Sequence, residues 1–429
     1  MTTTTQCEPL AYPFEQPDGL EIHPIYAELR QRPPARVRMP YGEDAWLVTR
    51  YADAKSLLGD SRFSMAAALG RDRPRVRPVA VSGGGLLSTD GPDHLRLRGT
   101  VAKAFTARRV ERLRDRVREI AGELSCGIRK SGAPADLGNG FAFPLAITVI
   151  GELLGIGQEN HVRVRDWLDV MMSHTVTAEE FNKWNTMFAA YTADLVELRR
   201  REPGDDLFSA LVRAHDQEGR ITMGELMALA PVLISAGFVT TFNQISNSCY
   251  LLLARPDRFS SLLGRPEALP RAVEELLRYV PLPNGFAFPR YATESIELGG
   301  ALIRAGDPVL VDTAAANRDP EVFDRADDLV LDRAVNPAPQ LRARPALLHR
   351  RPPGASGTPG GLGGPPGGHA RPPAGRPRRG TALEDRDDGE RPARTARRLV
   401  KRRTRQLERT HADRRDRSRL RRFDRDERR

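Results

Sequence analysis

The sequence predicts a mainly helical fold with small β-sheets, an α+β class, that closes near residue 337. Three observations carry that reading. Apolar residues recur at helical spacing through the long region between Tyr51 and Ile296, two short strand-like stretches frame that region, and the composition changes abruptly from Ala338 onward.

The first strand-like stretch is DAWLVTRY, Asp44 to Tyr51. The second, IELGGALIRAGDPVLVD from Ile296 to Asp312, carries turn signals at Gly299-Gly300 and Ala305-Gly306. Between them, Val110, Leu113, Val117, Ile120, Ala121 and Leu124 follow a helical period, and PLAITVIGELLGI (Pro144 to Ile156) reads as a buried helix. Thr222 to Ala254 reads as one helix of more than thirty residues, roughly 45 Å long at 1.5 Å per residue. No internal repeat is present.

Charge separates the two parts of the chain. Residues 338–429 hold 26 Arg and one Lys against 11 acidic residues, a net +16, which leaves −5 for the rest of a chain whose total is +11. The basic excess therefore belongs to the tail alone, and a nucleic-acid partner for the folded part is not expected. Those 92 residues contain 11 Pro and 11 Gly but no Ile, Tyr, Trp, Cys or Met, too little apolar surface to offset the entropy of ordering, so a disordered tail is expected.

The N-terminus has neither a charged leader region nor an apolar one, so no secretory signal is read there. The most apolar run, Met227 to Val239, is 13 residues long against the ~20 a bilayer needs, so no membrane partner is expected. Cys7, Cys126 and Cys249 are widely spaced with no metal-ligand pattern, which fits a reduced, cytoplasmic protein.

Four stretches could carry chemistry. In TDGPDHLRLR, Thr89 to Arg98, a loop passes into a helix that sets His94 and Arg98 at i and i+4, able to address one anion from a single face. In LISAGFVTTFNQ, Leu233 to Gln244, Ala236 and Gly237 permit close approach to the backbone, and Thr240 can bond back to a carbonyl; ordinary helix packing explains the same small residues. In EELLRY, Glu275 and Arg278 stand at i and i+3, the spacing of a bidentate pair or of an exposed one worth only ~0.3–0.5 kcal/mol. The turn-rich AAANRDPEVF, Ala314 to Phe323, says little alone.

In this order and spacing the stretches resemble one family. From about Pro13 to Asn336 the chain resembles a bacterial, actinomycete-type cytochrome P450 of the class served by ferredoxins. The resemblance implies the P450 fold, cut short on its proximal, C-terminal side, with haem b as cofactor. His94 and Arg98 match the family's HxxxR and, with Arg290 in FPRYA, are implied contacts of the haem propionates. Glu275 and Arg278 match ExxR, a structural pair beneath the haem, and NRDPEVF matches the meander before the haem loop. Ala236, Gly237 and Thr240 fall in the oxygen-binding helix motif, where Thr240 is the implied catalytic hydroxyl.

Two positions depart from the pattern. The acid before the helix threonine is Val239 here, and no cysteine follows Cys249, although the cysteine loop of the family should come after Asn336-Pro337. That loop is missing where the composition changes. Reading the gene shifted from about Ala338, the second codon bases of Leu341, Arg342, Arg344, Ala346, Leu348 and Arg350 become the first bases of Phe, Gly, Gly, His, Cys and Gly. With permitted third bases the stretch reads HLSFGHGPHYCIGAPLA, its cysteine spanning Leu348 and His349, so 338–429 is read as an out-of-frame tail behind an incomplete domain of residues 1–337.

For the intact gene the resemblance implies a monooxygenase of secondary metabolism or xenobiotic oxidation. It would hydroxylate or epoxidise a small apolar substrate with electrons from NAD(P)H through ferredoxin reductase and ferredoxin. Phe63 to Leu87 and the region from Trp167 to Phe188 are expected to line the pocket. The rival reading is a haem-free homologue that activates a partner enzyme such as a glycosyltransferase; the missing cysteine and Val239 favour it, and the retained His94, Arg98 and Arg290 oppose it.

Overall fold

The structure is a computed structural model that describes residues 8–337 except 16, 18, 80–84, 106, 174 and 282–287. The tail 338–429, with the Leu348/His349 position, lies outside the described residues.

Eight short strands form the β part. They are β1 (Leu10–Ala11), β2 (Ala35–Arg38), β3 (Ala45–Val48), β4 (Phe63–Ser64), β5 (Arg290–Ala292), β6 (Ile296–Leu298), β7 (Ala301–Ile303) and β8 (Pro308–Val311). Six make one mixed sheet in the order β1-β2-β3-β8-β5-β4, and β6-β7 is a separate hairpin. DAWLVTRY supplies β3, which pairs in parallel with β8, Leu47 opposite Leu310. Its last residue, Tyr51, instead opens a helix. The Gly299-Gly300 turn between β6 and β7 has φ of 58° and 86°, a left-handed backbone that glycine enters without a Cβ clash and that matches the strand twist.

The helices are α1 (Ile25–Leu29), α2 (Tyr51–Gly59), α3 (Gly91–Ala104), α4 (Ala107–Ser131), α5 (Phe143–Leu154), α6 (His161–Met172), α7 (Ala178–Arg201), α8 (Leu207–Asp216), α9 (Met223–Leu253), α10 (Pro256–Ser260), α11 (Leu269–Tyr279) and α12 (Thr313–Ala316). The helix expected from Thr222 to Ala254 is α9, with those two residues as its caps. Thr222 and Glu225 form a reciprocal capping box, Thr222 N–H donating to Glu225 Oε2 at 2.7 Å and Glu225 N–H to Thr222 Oγ1 at 3.2 Å. The apolar run measured as 13 residues thus lies in a 31-residue helix, long and apolar enough to cross a membrane by length and composition. In this fold α9 packs against α5, α7, α8 and α10.

The largest core lies among α3 and α5 to α9, where Leu97, Ile147, Phe208, Leu229 and Phe238 are buried. Trp167 and Phe188, expected to line a pocket, belong to this core as well. Their rings stack at 3.8 Å with an 11° interplanar angle, and both are buried, so the two residues that bound the expected lining region pack on each other.

A buried carboxylate ties the N-terminal segment to the end of the sheet. Asp312 accepts from Tyr12 Oη at 3.0 Å and Tyr26 Oη at 2.5 Å, and caps α12 by accepting from Ala315 N–H at 2.9 Å. Burial raises the pKa of both phenols, and the Asp312 charge adds to the shift, so both remain donors.

Gly237 exists for packing. A Cβ built there would lie 2.3 Å from Ile150 Cδ1 and 2.9 Å from Ile150 Cγ1, so α5 and α9 meet at a point that has no room for a methyl group. The close approach of Ile150 supports the helix-packing reading of this glycine and stands beside its expected place among the catalytic residues. Gly237→Ala should cost about 1–3 kcal/mol as overpacking, read as a lower thermal midpoint of the full chain; an unchanged midpoint would mean that Ile150 yields freely.

Candidate functional site

The middle of α9 has two different sides. Leu229, Ala230, Leu233, Ile234 and Phe238 are buried, whereas Ala236 and Thr240, one turn apart, are exposed. Thr240 Oγ1 donates to Ala236 O at 2.6 Å, the back-bond expected of a threonine inside a helix, which leaves the hydroxyl oxygen able to accept on the open side. Val239, at the position where the family pattern has an acid, is half-buried against the core together with Phe242. Phe143 packs edge-on against both Phe238 and Phe242, with centroids 5.1 and 6.1 Å apart, and the Arg165 guanidinium lies 4.3 Å from the Phe143 ring. This level of α9 therefore offers the Thr240 hydroxyl on its open side, with the exposed Thr241 beside it, and apolar packing around the valine.

The anion-binding residues come from two elements. His94 and Arg98 are one turn apart on α3, both half-buried, and His94 Nδ1 is sealed from solvent with no hydrogen-bond partner. No carboxylate among the described residues forms an ion pair with Arg98 or Arg290. Arg290 begins β5; burial lowers its pKa from the ordinary value, and the Asp90 charge opposes that shift. Orphaned buried donors and partly buried cations are costly unless an anion completes them. They fit the two carboxylates of a haem, and the open Ala236 and Thr240 fit a flat apolar macrocycle. The axial side does not fit in the same way, because Cys126 and Cys249 are the described cysteines and none follows them in sequence.

Glu275 and Arg278 form a bidentate pair on α11, Nε to Oε2 at 2.8 Å and Nη2 to Oε1 at 2.7 Å, with both side chains at 0% exposure. The exposed-pair alternative is excluded. Arg278 Nη1 also donates to Asn317 O at 2.8 Å and Ala326 O at 2.7 Å, and Nη2 to Asp328 O at 2.9 Å. A second guanidinium, Arg333, donates to Glu275 Oε2 at 2.8 Å, and Val330 N–H donates to Oε1 at 2.8 Å. The sequence reading missed Arg333, since a lone arginine 58 positions from its partner leaves no periodic signal. NRDPEVF gains its meaning here. Asn317 offers its carbonyl to Arg278, Arg318 lies 3.6 Å from the Tyr279 ring centroid, and Asp319 accepts from Tyr51 N–H at 2.8 Å.

The comparisons with known proteins agree with this geometry. A family model described as cytochrome P450 matches residues 267–333, the span from just before α11 through Arg333. The chain is 51% identical over 334 residues to the mycinamicin IV hydroxylase/epoxidase of Micromonospora griseorubida, covering 77% of this chain and 84% of that one. It is 48% identical over 336 residues to the nocardicin C N-oxygenase of Nocardia uniformis subsp. tsuyamanensis, covering 78% and 84%. Among solved structures, that of the mixed-function P450 MycG aligns with a TM-score of 0.71 at 50% identity, covering 78% of this chain and 85% of that one. HinD aligns with a TM-score of 0.74 at 46% identity.

The fold and the relatives thus define the class of haem-dependent monooxygenases. The chain belongs to the cytochrome P450 family. Its members bind haem b, and bacterial enzymes of this type take their electrons from redox partners.

Burial alone would raise the Glu275 carboxyl, but hydrogen bonds from Arg278, Arg333 and Val330 N–H overturn that and leave it below the ordinary carboxylate range. A depressed carboxylate contributes stability that is present above its unfolded pKa and lost as pH falls through the folded one. Glu275→Gln should cost about 3–5 kcal/mol at pH 7, because two buried guanidinium groups lose their counter-charge. The difference from the unaltered chain should begin to shrink as pH falls past about 4.3, where the unfolded glutamate takes up its proton, and should vanish only below the depressed value of the folded carboxyl. Denaturant melts at both pH values check this, and a penalty that does not depend on pH would show that shape, not charge, matters there.

Proposed function

We propose that the intact gene encodes a tailoring monooxygenase of secondary metabolism that hydroxylates or epoxidises a small apolar metabolite, a reading supported by its relatives, a mycinamicin IV hydroxylase/epoxidase and a nocardicin C N-oxygenase. The observation that carries this is the open Ala236 and Thr240 face opposite the buried Leu233, Ile234 and Phe238 of the same helix. Haem b held by a cysteine thiolate supplies the oxygen-inserting chemistry when bound. The chain's own residues supply the rest. His94, Arg98 and Arg290 would hold the two haem carboxylates. Thr240 can release its bond to Ala236 O and pass a proton at Oγ1, a duty that Val239, with nothing to titrate, cannot share. Phe143, Phe238 and Phe242 keep water away from the α5 side of the helix.

In this reading residues 1–337 are an incomplete P450 domain and 338–429 an out-of-frame tail. Ferredoxin and its NAD(P)H-dependent reductase are the electron donors, and the cytoplasm is the compartment. A haem-free accessory protein remains the second reading, favoured by the absence of any cysteine after Cys249. The unpartnered His94 Nδ1 and Arg290 weigh against it, since a protein without haem has no use for two buried anion ligands.

The chain as written should give no thiolate-type spectrum when reduced and exposed to carbon monoxide, whereas the protein translated in the other frame from Ala338 should give one. A gene that lacks a cysteine codon across Leu348 and His349 in that frame ends the frameshift reading. In the frame-restored enzyme, Thr240→Val should lower product formed per electron consumed, because valine has no proton to pass and activated oxygen is lost unproductively. Intact coupling in that variant would remove the role assigned to Thr240.

A further inference from the structure

Asp90 stands immediately before α3, where an aspartate ordinarily accepts a bond from a backbone N–H of its own first turn. It makes no such bond here. Its carboxylate turns to another segment instead. Ser64 Oγ donates to Oδ2, Met65 N–H donates to Oδ1 at 3.1 Å and Ala66 N–H to Oδ2 at 3.0 Å. Ser64 in turn accepts from Ala67 N–H at 2.8 Å, so the turn after β4 is gathered around these two side chains.

That turn has a neighbour that matters. β4 pairs antiparallel with β5, Ser64 opposite Tyr291, and Arg290 is the residue before Tyr291. Asp90 is also one helical turn before His94 and two before Arg98. Three donors from one segment thus converge on a carboxylate that belongs to another, at the junction between the strand of one anion ligand and the helix of the other two. Burial would raise the Asp90 carboxyl, but Ser64 and the two backbone amides lower it below its ordinary range, so the group stays ionised and its charge reaches Arg290.

We propose that Asp90 is a positioning residue of the anion site, fastening the β4-β5 pair that carries Arg290 to the first turn of the helix that carries His94 and Arg98. This rests on the reading of those three residues as ligands of the haem carboxylates. Asp90 itself, engaged by three donors, does not touch the ligand. Its loss therefore acts on recognition of the carboxylates and leaves recognition of the ring alone.

The test titrates the full chain, with no need for turnover, against ferric protoporphyrin IX and against its dimethyl ester, which keeps the ring and removes both negative charges. Binding is followed by the absorbance of the bound porphyrin. The unaltered chain should prefer the diacid, and Arg290→Ala should lose that preference. Asp90→Ala should reduce the preference about tenfold, equivalent to about 1.4 kcal/mol, with affinity for the ester unchanged. Ser64→Ala, which removes one donor of three, should produce a smaller loss in the same direction.

Retention of the diacid preference in Asp90→Ala, alongside its loss in Arg290→Ala, overturns the proposal and leaves the anion ligands standing. An equal loss of diacid and ester affinity makes Asp90 a general structural residue and also overturns it. Should Asp90→Ala fail to fold, Ser64→Ala decides, and an unchanged preference there sinks the idea. An unaltered chain with no preference for the diacid removes the anion site and the proposal together.

Discussion

A single carboxylate organises the far end of the described fold. Glu275 is inaccessible to solvent and would be expensive there as an isolated charge. It is tolerable because Arg278, Arg333 and Val330 N–H all donate to it, and because Arg278 passes its remaining donors to the carbonyls of Asn317, Ala326 and Asp328. The irregular segment after α12 has little regular secondary structure to satisfy its backbone. Beside a few turn hydrogen bonds it is held by guanidinium groups, Arg278 on Asn317, Ala326 and Asp328 and Arg333 on Asp324 and Arg325, and Glu275 is the carboxylate that both of these arginines share. Asn336 Nδ2 reaches the same carboxylate at 3.4 Å, so the network extends to the last residues described.

The ligand-facing residues depend on that base indirectly. β5 runs antiparallel to β8, Arg290 opposite Val309, and β8 leads directly to Asp312, which holds Tyr12 and Tyr26 and caps α12 before Asn317. From Arg290 the line of contacts runs back through β4 and Ser64 to Asp90 and the start of α3. One mechanical path therefore joins the Glu275 network, the sheet and the helix that carries His94 and Arg98. α9 joins from the other side. Gln244 Nε2 donates to Leu276 O at 3.0 Å, one turn beyond Thr240 and one residue beyond Glu275.

Within α9 the division between open and packed sides follows side-chain size. Gly237 lets Ile150 reach the helix backbone, and Phe238 and Phe242 close with Phe143. Ala236 and Thr240 remain uncovered because small side chains on the remaining side have no neighbour to meet. The apolar Val239 is consistent with its surroundings, half-buried against the core that Phe143, Phe238 and Phe242 share.

Much of the fold was legible in the chain. The helical period fixed α4, α5 and α9, the capping residues Thr222 and Ala254 bounded α9, and the glycine pair at 299-300 marked a hairpin, because periodicity and turn chemistry are local properties. The pairing of Glu275 with Arg278 was legible for the same reason, one helical turn apart. The composition change at Ala338 and the absence of a cysteine after Cys249 were likewise plain from sequence alone. Other features were decided only in three dimensions. Arg333 joins Glu275 across 58 positions, Asp90 forsakes its own helix for Ser64, Trp167 stacks on Phe188, and Ile150 closes on Gly237. None of these has a local signal. Each is selected by which surfaces the packed helices and sheet bring together, where a buried charge must find donors and an apolar ring must find a ring, wherever in the chain they come from.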